Sequence, residues 1–236
     1  MKKIVNTYTL YISLLFVLII VSCSLKNTGS KIPEKLENTP IVQVHQLRNG
    51  DIVFIGAENE GLSGAIKNAT FNPNSFNFDH VGMIERTKDS IFVLHAAPKG
   101  GSQREVLMNF YRTQKTKDNS IIIFRLKKEV QFSIPSAIAT AKSMLGKPYN
   151  WTYILNGEEY YCSDFIERSF RKDSIFEHIP MNFKNKTTGT FDQYWIDLYR
   201  NKNLEIPQDQ PGTNPNQLSI SPKLTLVGEL IDSSQN

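Results

Sequence analysis

The sequence predicts a single α+β domain spanning residues 42–236. Three observations carry that expectation. Runs of β-branched and aromatic residues at 52–55, 80–85, 91–96 and 121–126 have the length and composition of strands. Two other segments, 135–145 and 162–170, repeat their apolar residues at helical spacing. No internal repeat and no second core interrupts them, and 236 residues that are 40% hydrophobic are enough for one well-buried core.

Residues 24–40 lack periodicity and read as a flexible tether, so the fold begins near Val42. Leu47 to Ile55 reads as a turn at Asn49-Gly50-Asp51 entering a strand. Residues 61–69 are helix-compatible, and the Asn/Pro/Phe-rich stretch 70–78 is a loop. Strands from His80 to Glu85 and from Ile91 to Ala96 flank the polar turn Arg86-Thr87-Lys88-Asp89-Ser90. An antiparallel register pairing Ile84 with Ile91 would also set His80 opposite His95, their Cβ atoms about 5 Å apart on one face. A slip of one residue would separate them. Glu105 to Tyr111 passes from a short strand into a helix, and Ile121 to Leu126 is a strand.

The helix from Pro135 to Leu145 has proline in its first turn, Ala137, Ile138, Ala141, Met144 and Leu145 along one side, and Gly146 as its stop. A turn, Gly146 to Trp151, leads toward a second helix that opens at Cys162 and buries Phe165, Ile166, Ser169 and Phe170. Beyond Arg171 the pattern weakens. Phe191 to Tyr199 is helix-compatible, Gln208 to Pro222 is a Pro/Asn/Gln-rich loop, and Leu224 to Ile231 is a final strand.

The N-terminus reads as a leader. Lys2-Lys3 precedes the apolar run Leu10 to Val21, too short for a bilayer span and suited to a signal peptide over residues 1–22. The run ends in Ile20-Val21-Ser22-Cys23, which resembles a bacterial lipobox. That resemblance implies lipidation of Cys23, a membrane tether over 23–41, and a cell-envelope address. Ser24 in place of Asp favours the outer membrane or cell surface. The net charge of +4 falls to +2 once Lys2 and Lys3 are removed, and no basic stripe interleaved with aromatics appears, so no nucleic-acid partner is expected.

Of the two cysteines, lipidation of Cys23 leaves Cys162 without a disulfide partner. A thiol at a helix N-terminus sits in the positive end of the dipole, which favours thiolate and nucleophilicity. The alternative is a buried, inert thiol. A nucleophilic cysteine needs a base, and the base needs a third group to orient it. Of the four histidines, His80 follows a loop at a strand start and His95 sits late on the partner strand, whereas His45 and His178 read as surface or packing residues.

Five motifs in order are similar to the permuted members of the NlpC/P60 papain-like superfamily, the YiiX/YebB-like group. They are Asn49-Gly50-Asp51-Ile52-Val53-Phe54, Asp79-His80-Val81-Gly82-Met83, Val93-Leu94-His95-Ala96, Gly146-Lys147-Pro148-Tyr149-Asn150 and Tyr161-Cys162-Ser163-Asp164. The resemblance covers residues 47 to about 172 and implies a circularly permuted papain-like fold, an antiparallel sheet or barrel packed on helices with the catalytic cysteine at a helix N-terminus. It implies that Cys162 is the nucleophile, His80 the general base and His95 the third group, a position held by Glu in many relatives. Tyr149 and Tyr161 become cleft-lining aromatics, with core packing as the alternative reading. Asp164 either binds a substrate amine or complements the helix dipole.

The implied activity is a cell-envelope cysteine amidase or peptidase acting on a peptide or other amide, cell-wall peptide among them, through a thioester and without a cofactor. A lipid-directed acyltransferase or hydrolase of the lecithin:retinol acyltransferase-like type is the second reading, and a binding module the third. Two His and one Cys also form a zinc ligand set, but without HxxxH or CxxC spacing no metal is expected.

Overall fold

A computed structural model describes residues 38–116 and 119–232. The expected signal peptide, Cys23 and most of the expected tether therefore lie outside the described residues. Seven strands form one sheet in the order β1-β9-β6-β2-β3-β4-β5. In chain order these are β1 (Ile41–Val42), β2 (Ile52–Gly56), β3 (Phe78–Arg86), β4 (Ile91–Ala97), β5 (Gly101–Val106), β6 (Ile121–Leu126) and β9 (Leu224–Leu230), with β7 (Ile179–Pro180) and β8 (Pro211–Gly212) paired separately. Every pairing in the large sheet is antiparallel except β1 on β9. Its order has two ends, β1 and β5, so the expected sheet-or-barrel is met as a sheet.

Both faces of the sheet are covered, which explains why β2 and β6 read as continuous apolar runs instead of alternating ones. On β2, Ile52 and Phe54 point to one face while Val53 and Ile55 point to the other. The first face packs on α3 (Ile134–Ser143) and α4 (Cys162–Phe170), through Ala137, Ala141, Phe165, Ile166 and Phe170. The second packs on α2 (Leu107–Gln114), through Leu107, Phe110 and Tyr111. The remaining helices are α1 (Gly61–Thr70), α5 (Gln193–Asn201) and α6 (Pro215–Ser219).

The Asn49-Gly50-Asp51 turn is held by charge. Asp51 is fully buried, yet Arg125 of β6 reaches both its oxygens, Nε to Oδ1 at 2.6 Å and Nη2 to Oδ2 at 2.7 Å. The Arg48 amide donates to Oδ2 as well, at 2.8 Å. A fork-to-fork pair of this kind pins the entrance of β2 to its neighbour β6.

The hairpin register differs from the expected one. Ile84 pairs with Val93 and Arg86 with Ile91, a shift of two residues. The cause is a tight turn, closed by the Thr87 amide and the Thr87 hydroxyl both donating to the Ser90 carbonyl. Because side chains alternate with period two, an even shift preserves the face. His80 and His95 stay on the same side of the sheet as diagonal neighbours instead of directly opposed ones.

Gly146, at φ 81°, ends the turn after α3, as its position suggests. The chain then runs against β5: Ser102 donates from its amide to the Lys147 carbonyl at 2.8 Å. Gly101 is required there, because a Cβ would lie 2.2 Å from that same carbonyl oxygen. The stretch 208–222 is not wholly a loop. It holds β8 and α6, whose Asn214 side chain accepts from the Gln217 amide at 2.9 Å as an N-cap, with Pro215 following.

Candidate active site

Cys162 is the first residue of α4, and the extended backbone of Tyr161 before it supplies no side-chain cap. The thiol is 3% exposed and its one hydrogen bond runs to the carbonyl oxygen of Asp79, 3.8 Å away on β3. Burial, and next the Asp79 carboxylate, push the thiol up to about 12, against the opposing amides of Ser163, Val81 and Cys162. The helix start was expected to favour thiolate; desolvation outweighs the dipole here. At rest Cys162 is therefore a neutral thiol.

His80 and His95 come together, Nε2 of the first 2.9 Å from Nδ1 of the second, with their rings edge-to-face. His95 also stands edge-on to Phe110 of α2, ring centroids 5.0 Å apart. Gly82 makes room for this arrangement: a Cβ on it would meet Val93 Cγ1 at 2.6 Å and His95 Cβ at 3.2 Å. Burial, and then the neighbouring His95, hold His80 well below the ordinary histidine range, so it is a neutral imidazole. The thiol bonds to β3 at Asp79 from the α4 side, whereas the imidazole pair lies on the α2 side of the same sheet against Phe110, so the structure brings the two histidines together without a hydrogen bond between Cys162 and His80.

Behind His95 stands a residue that sequence reasoning did not single out. Glu105 of β5 places Oε2 3.4 Å from His95 Nε2, close enough for charge to act but not aligned as a hydrogen bond, so Nε2 is left without a hydrogen-bond partner. Only the strand pairing reveals it. Val93 pairs with Glu105 and His95 with Gln103, so Glu105 shares a face with His95 as a diagonal neighbour.

Tyr161 is 1% exposed, and its hydroxyl accepts from the Thr213 amide at 3.1 Å and donates to Met181 Sδ at 3.8 Å. It lines a narrow pocket together with Cys162, Ser163, Met181, Trp195 and Thr213. Tyr149 is not among the lining residues; it is buried with its hydroxyl 3.2 Å from that of Tyr153. Its other expected reading, core packing, describes it better. Asp164 is also fully buried, paired with Arg168 Nε at 2.7 Å. A carboxylate so enclosed presents nothing to a substrate amine, and its place in the first turn leaves it the dipole-complementing part. His178 lies 3.2 Å from Glu167, and His45 is exposed near the N-terminal edge. Neither approaches the site.

The solved structures contain a similar fold. The metalloprotein YiiX of Escherichia coli O157:H7 superposes with a TM-score of 0.63 at 21% identity, covering 78% of this chain and 98% of its own. No curated protein matches the chain. The family described as "permuted papain-like amidase enzyme, YaeF/YiiX, C92 family" matches residues 46–228, a span that takes in β2, both histidine strands, the Cys162 helix and the C-terminal wall of the pocket. The chain belongs to the permuted papain-like amidases of the YaeF/YiiX, C92 family, enzymes that hydrolyse amide bonds.

Proposed function

We propose that the chain is a cell-envelope cysteine amidase in which Cys162 attacks the substrate carbonyl, His80 carries the proton, and His95 and Glu105 orient His80. The observation that carries this is the 2.9 Å contact between His80 Nε2 and His95 Nδ1, with Glu105 at the far side of His95. A carboxylate only accepts, so Glu105 draws the His95 proton to Nε2 and leaves Nδ1 as an acceptor. His80 Nε2 then donates to it, and the free lone pair of His80 sits on Nδ1. That nitrogen takes the Cys162 proton as the sulfur bonds to the carbonyl carbon. His80 next gives the proton to the departing amine, and water, activated by the same nitrogen, releases the acid from the thioester. In the resting protein Cys162 is bonded to Asp79 instead, so the thiol turns toward His80 when substrate arrives. Catalytic hydrogen bonds commonly tighten only in the complex.

The structural relative is described as a metalloprotein. In this chain no group of three or more His, Cys, Asp or Glu side chains is arranged to hold an ion among the described residues. The facing nitrogens of His80 and His95 are engaged with each other, so the donor set does not fit a metal and no step passes through one.

Two outcomes follow from the charges. Glu105→Gln lowers kcat/KM about tenfold, with KM little changed, because the His80 imidazolium formed in the transition state loses its remote counter-charge. The same loss moves the acid limb of the pH–rate profile further down, since His80 becomes harder to protonate. A purely structural Glu105 would leave that limb in place. Asp79→Asn removes a negative charge that pushes the thiol up, so Cys162 alkylates faster with iodoacetamide at pH 8. The expected gain is about threefold, a larger thiolate fraction offset by weaker nucleophilicity.

The address rests on the leader and lipobox reading. Lipidation of Cys23 would hold the domain at the membrane on a tether, where the amides within reach are those of the cell-wall peptide. Incorporation of labelled palmitate that survives Cys23→Ala would remove this part of the proposal and leave the catalytic part standing.

A further inference from the structure

An open pocket of about 720 Å³ lies at the N-terminal edge of the sheet, with Pro40, Ile41, His45, Arg48, Arg86 and Arg125 on its walls. It shares no lining residue with the pocket at Cys162, and no Asp or Glu lines it. Its charges are unbalanced. Arg125 is committed to Asp51, which is fully buried and gives it both oxygens. Arg86 Nη1 donates only to backbone, the carbonyls of His45 at 3.4 Å and Leu47 at 3.3 Å. Carbonyls orient a guanidinium without cancelling its charge, and its remaining N–H donors stay open. Arg48 is exposed, and its guanidinium has no hydrogen-bond or ion-pair partner among the described residues. Two uncompensated guanidiniums therefore share one opening, with the exposed His45 beside them. Such planar forks match the oxygens of a phosphate.

The pocket also marks where the chain enters the domain. The Pro40 carbonyl, on the pocket wall, accepts from the Glu229 amide at 2.7 Å. Gly228 permits that approach, because a Cβ there would lie 2.1 Å from the Pro40 oxygen. Ile41 follows as the first residue of β1 and is 61% exposed. Cys23 lies 17 residues before Pro40, so even a fully extended chain keeps the pocket within about 60 Å of that position. The domain is attached by its basic end.

We propose that this pocket binds the phosphate of an anionic membrane lipid, seating the domain on the bilayer by its β1 edge. The inference rests on the reading of Cys23 as a lipid anchor and adds a second, electrostatic contact to it. Each basic side chain at an anionic surface contributes about fivefold to binding. The anchor makes that contact intramolecular, so a site too weak to hold a free ligand suffices. Ile41 beside the arginines suits the boundary between headgroups and acyl chains.

The test uses the full chain purified from membranes and reconstituted on vesicles of phosphatidylcholine, or of phosphatidylcholine with a third replaced by phosphatidylglycerol. Phenylglyoxal modification followed by peptide mapping gives the reaction rate of each arginine. Arg48 and Arg86 are expected to react about fivefold more slowly on the anionic vesicles. Arg200 of α5, whose side chain is 69% exposed and outside the pocket, reacts equally on both. Salt at about 1 M abolishes the difference. Equal rates at Arg48 and Arg86 on the two vesicles overturn the site. Protection by soluble glycerol phosphate, with none on anionic vesicles, overturns the membrane assignment in favour of a free phosphate ester. Failure of the anchor reads differently, as a chain that washes off the neutral vesicles. Retention on the anionic vesicles alone, with both arginines protected, removes the anchor and leaves the pocket; loss from both vesicles removes the two together.

Discussion

Replacing Cys162 with alanine lowers amide hydrolysis by at least about 10³-fold in kcat/KM, while the protein stays folded. The proposed acyl intermediate forms on the sulfur, which alanine lacks. The structural cost is small because only one buried atom is lost, so the melting temperature moves by a few degrees at most. Steady-state kinetics with thermal unfolding on the same sample separates the two effects. The pH dependence of the wild type follows from the same side chains. His80 is held well below the usual histidine range, so activity persists to a pH below 6.5 and falls only as His80 takes a proton. The thiol sits near 12, so no alkaline limb from its loss of a proton appears across the neutral range.

Asp51→Asn is expected to cost about 3–5 kcal/mol and to lower the melting temperature by about 10 °C. Asp51 is fully buried, and both its oxygens are held by Arg125. Asparagine keeps the shape but offers one acceptor where there were two, and leaves a guanidinium partly enclosed without its counter-charge. The entrance of β2 and the Arg48 amide lose their anchor together. Thermal unfolding at neutral pH checks it, and Asp51→Asn with Arg125→Gln should recover part of the loss because no lone charge remains.

Much of this site was legible in particular residues. β6 runs from Ile121 to Leu126, as its β-branched run indicates, because both faces of the sheet are buried there. The two histidines share a face despite a register error of two residues, since parity and not register decides the face. Other parts were hidden for physical reasons. The helix dipole at Cys162 was a sound local argument, but desolvation depends on what the rest of the chain buries, which a single stretch does not reveal. Glu105 needed the β4–β5 pairing before its parity meant anything. The C-terminal stretch failed as a pattern because α6 and β8 are short and held by tertiary bonds: the Asn216 side chain accepts from the Phe78 amide at 2.6 Å and donates to Thr70 Oγ1 at 2.6 Å. That stretch contributes Thr213 to the pocket, and α5 contributes Trp195, so one wall of the pocket came from the region with the weakest sequence signal.

The central claim is that Cys162 forms a thioester with the help of His80. Acid quenching during turnover of an N-acyl ester substrate, followed by intact-mass and peptide mapping, measures it directly. The account predicts an acyl adduct on Cys162 that forms within the first turnover and forms about 10³-fold more slowly in His80→Ala. Turnover without an adduct on Cys162, or an adduct that forms equally fast without His80, would contradict it.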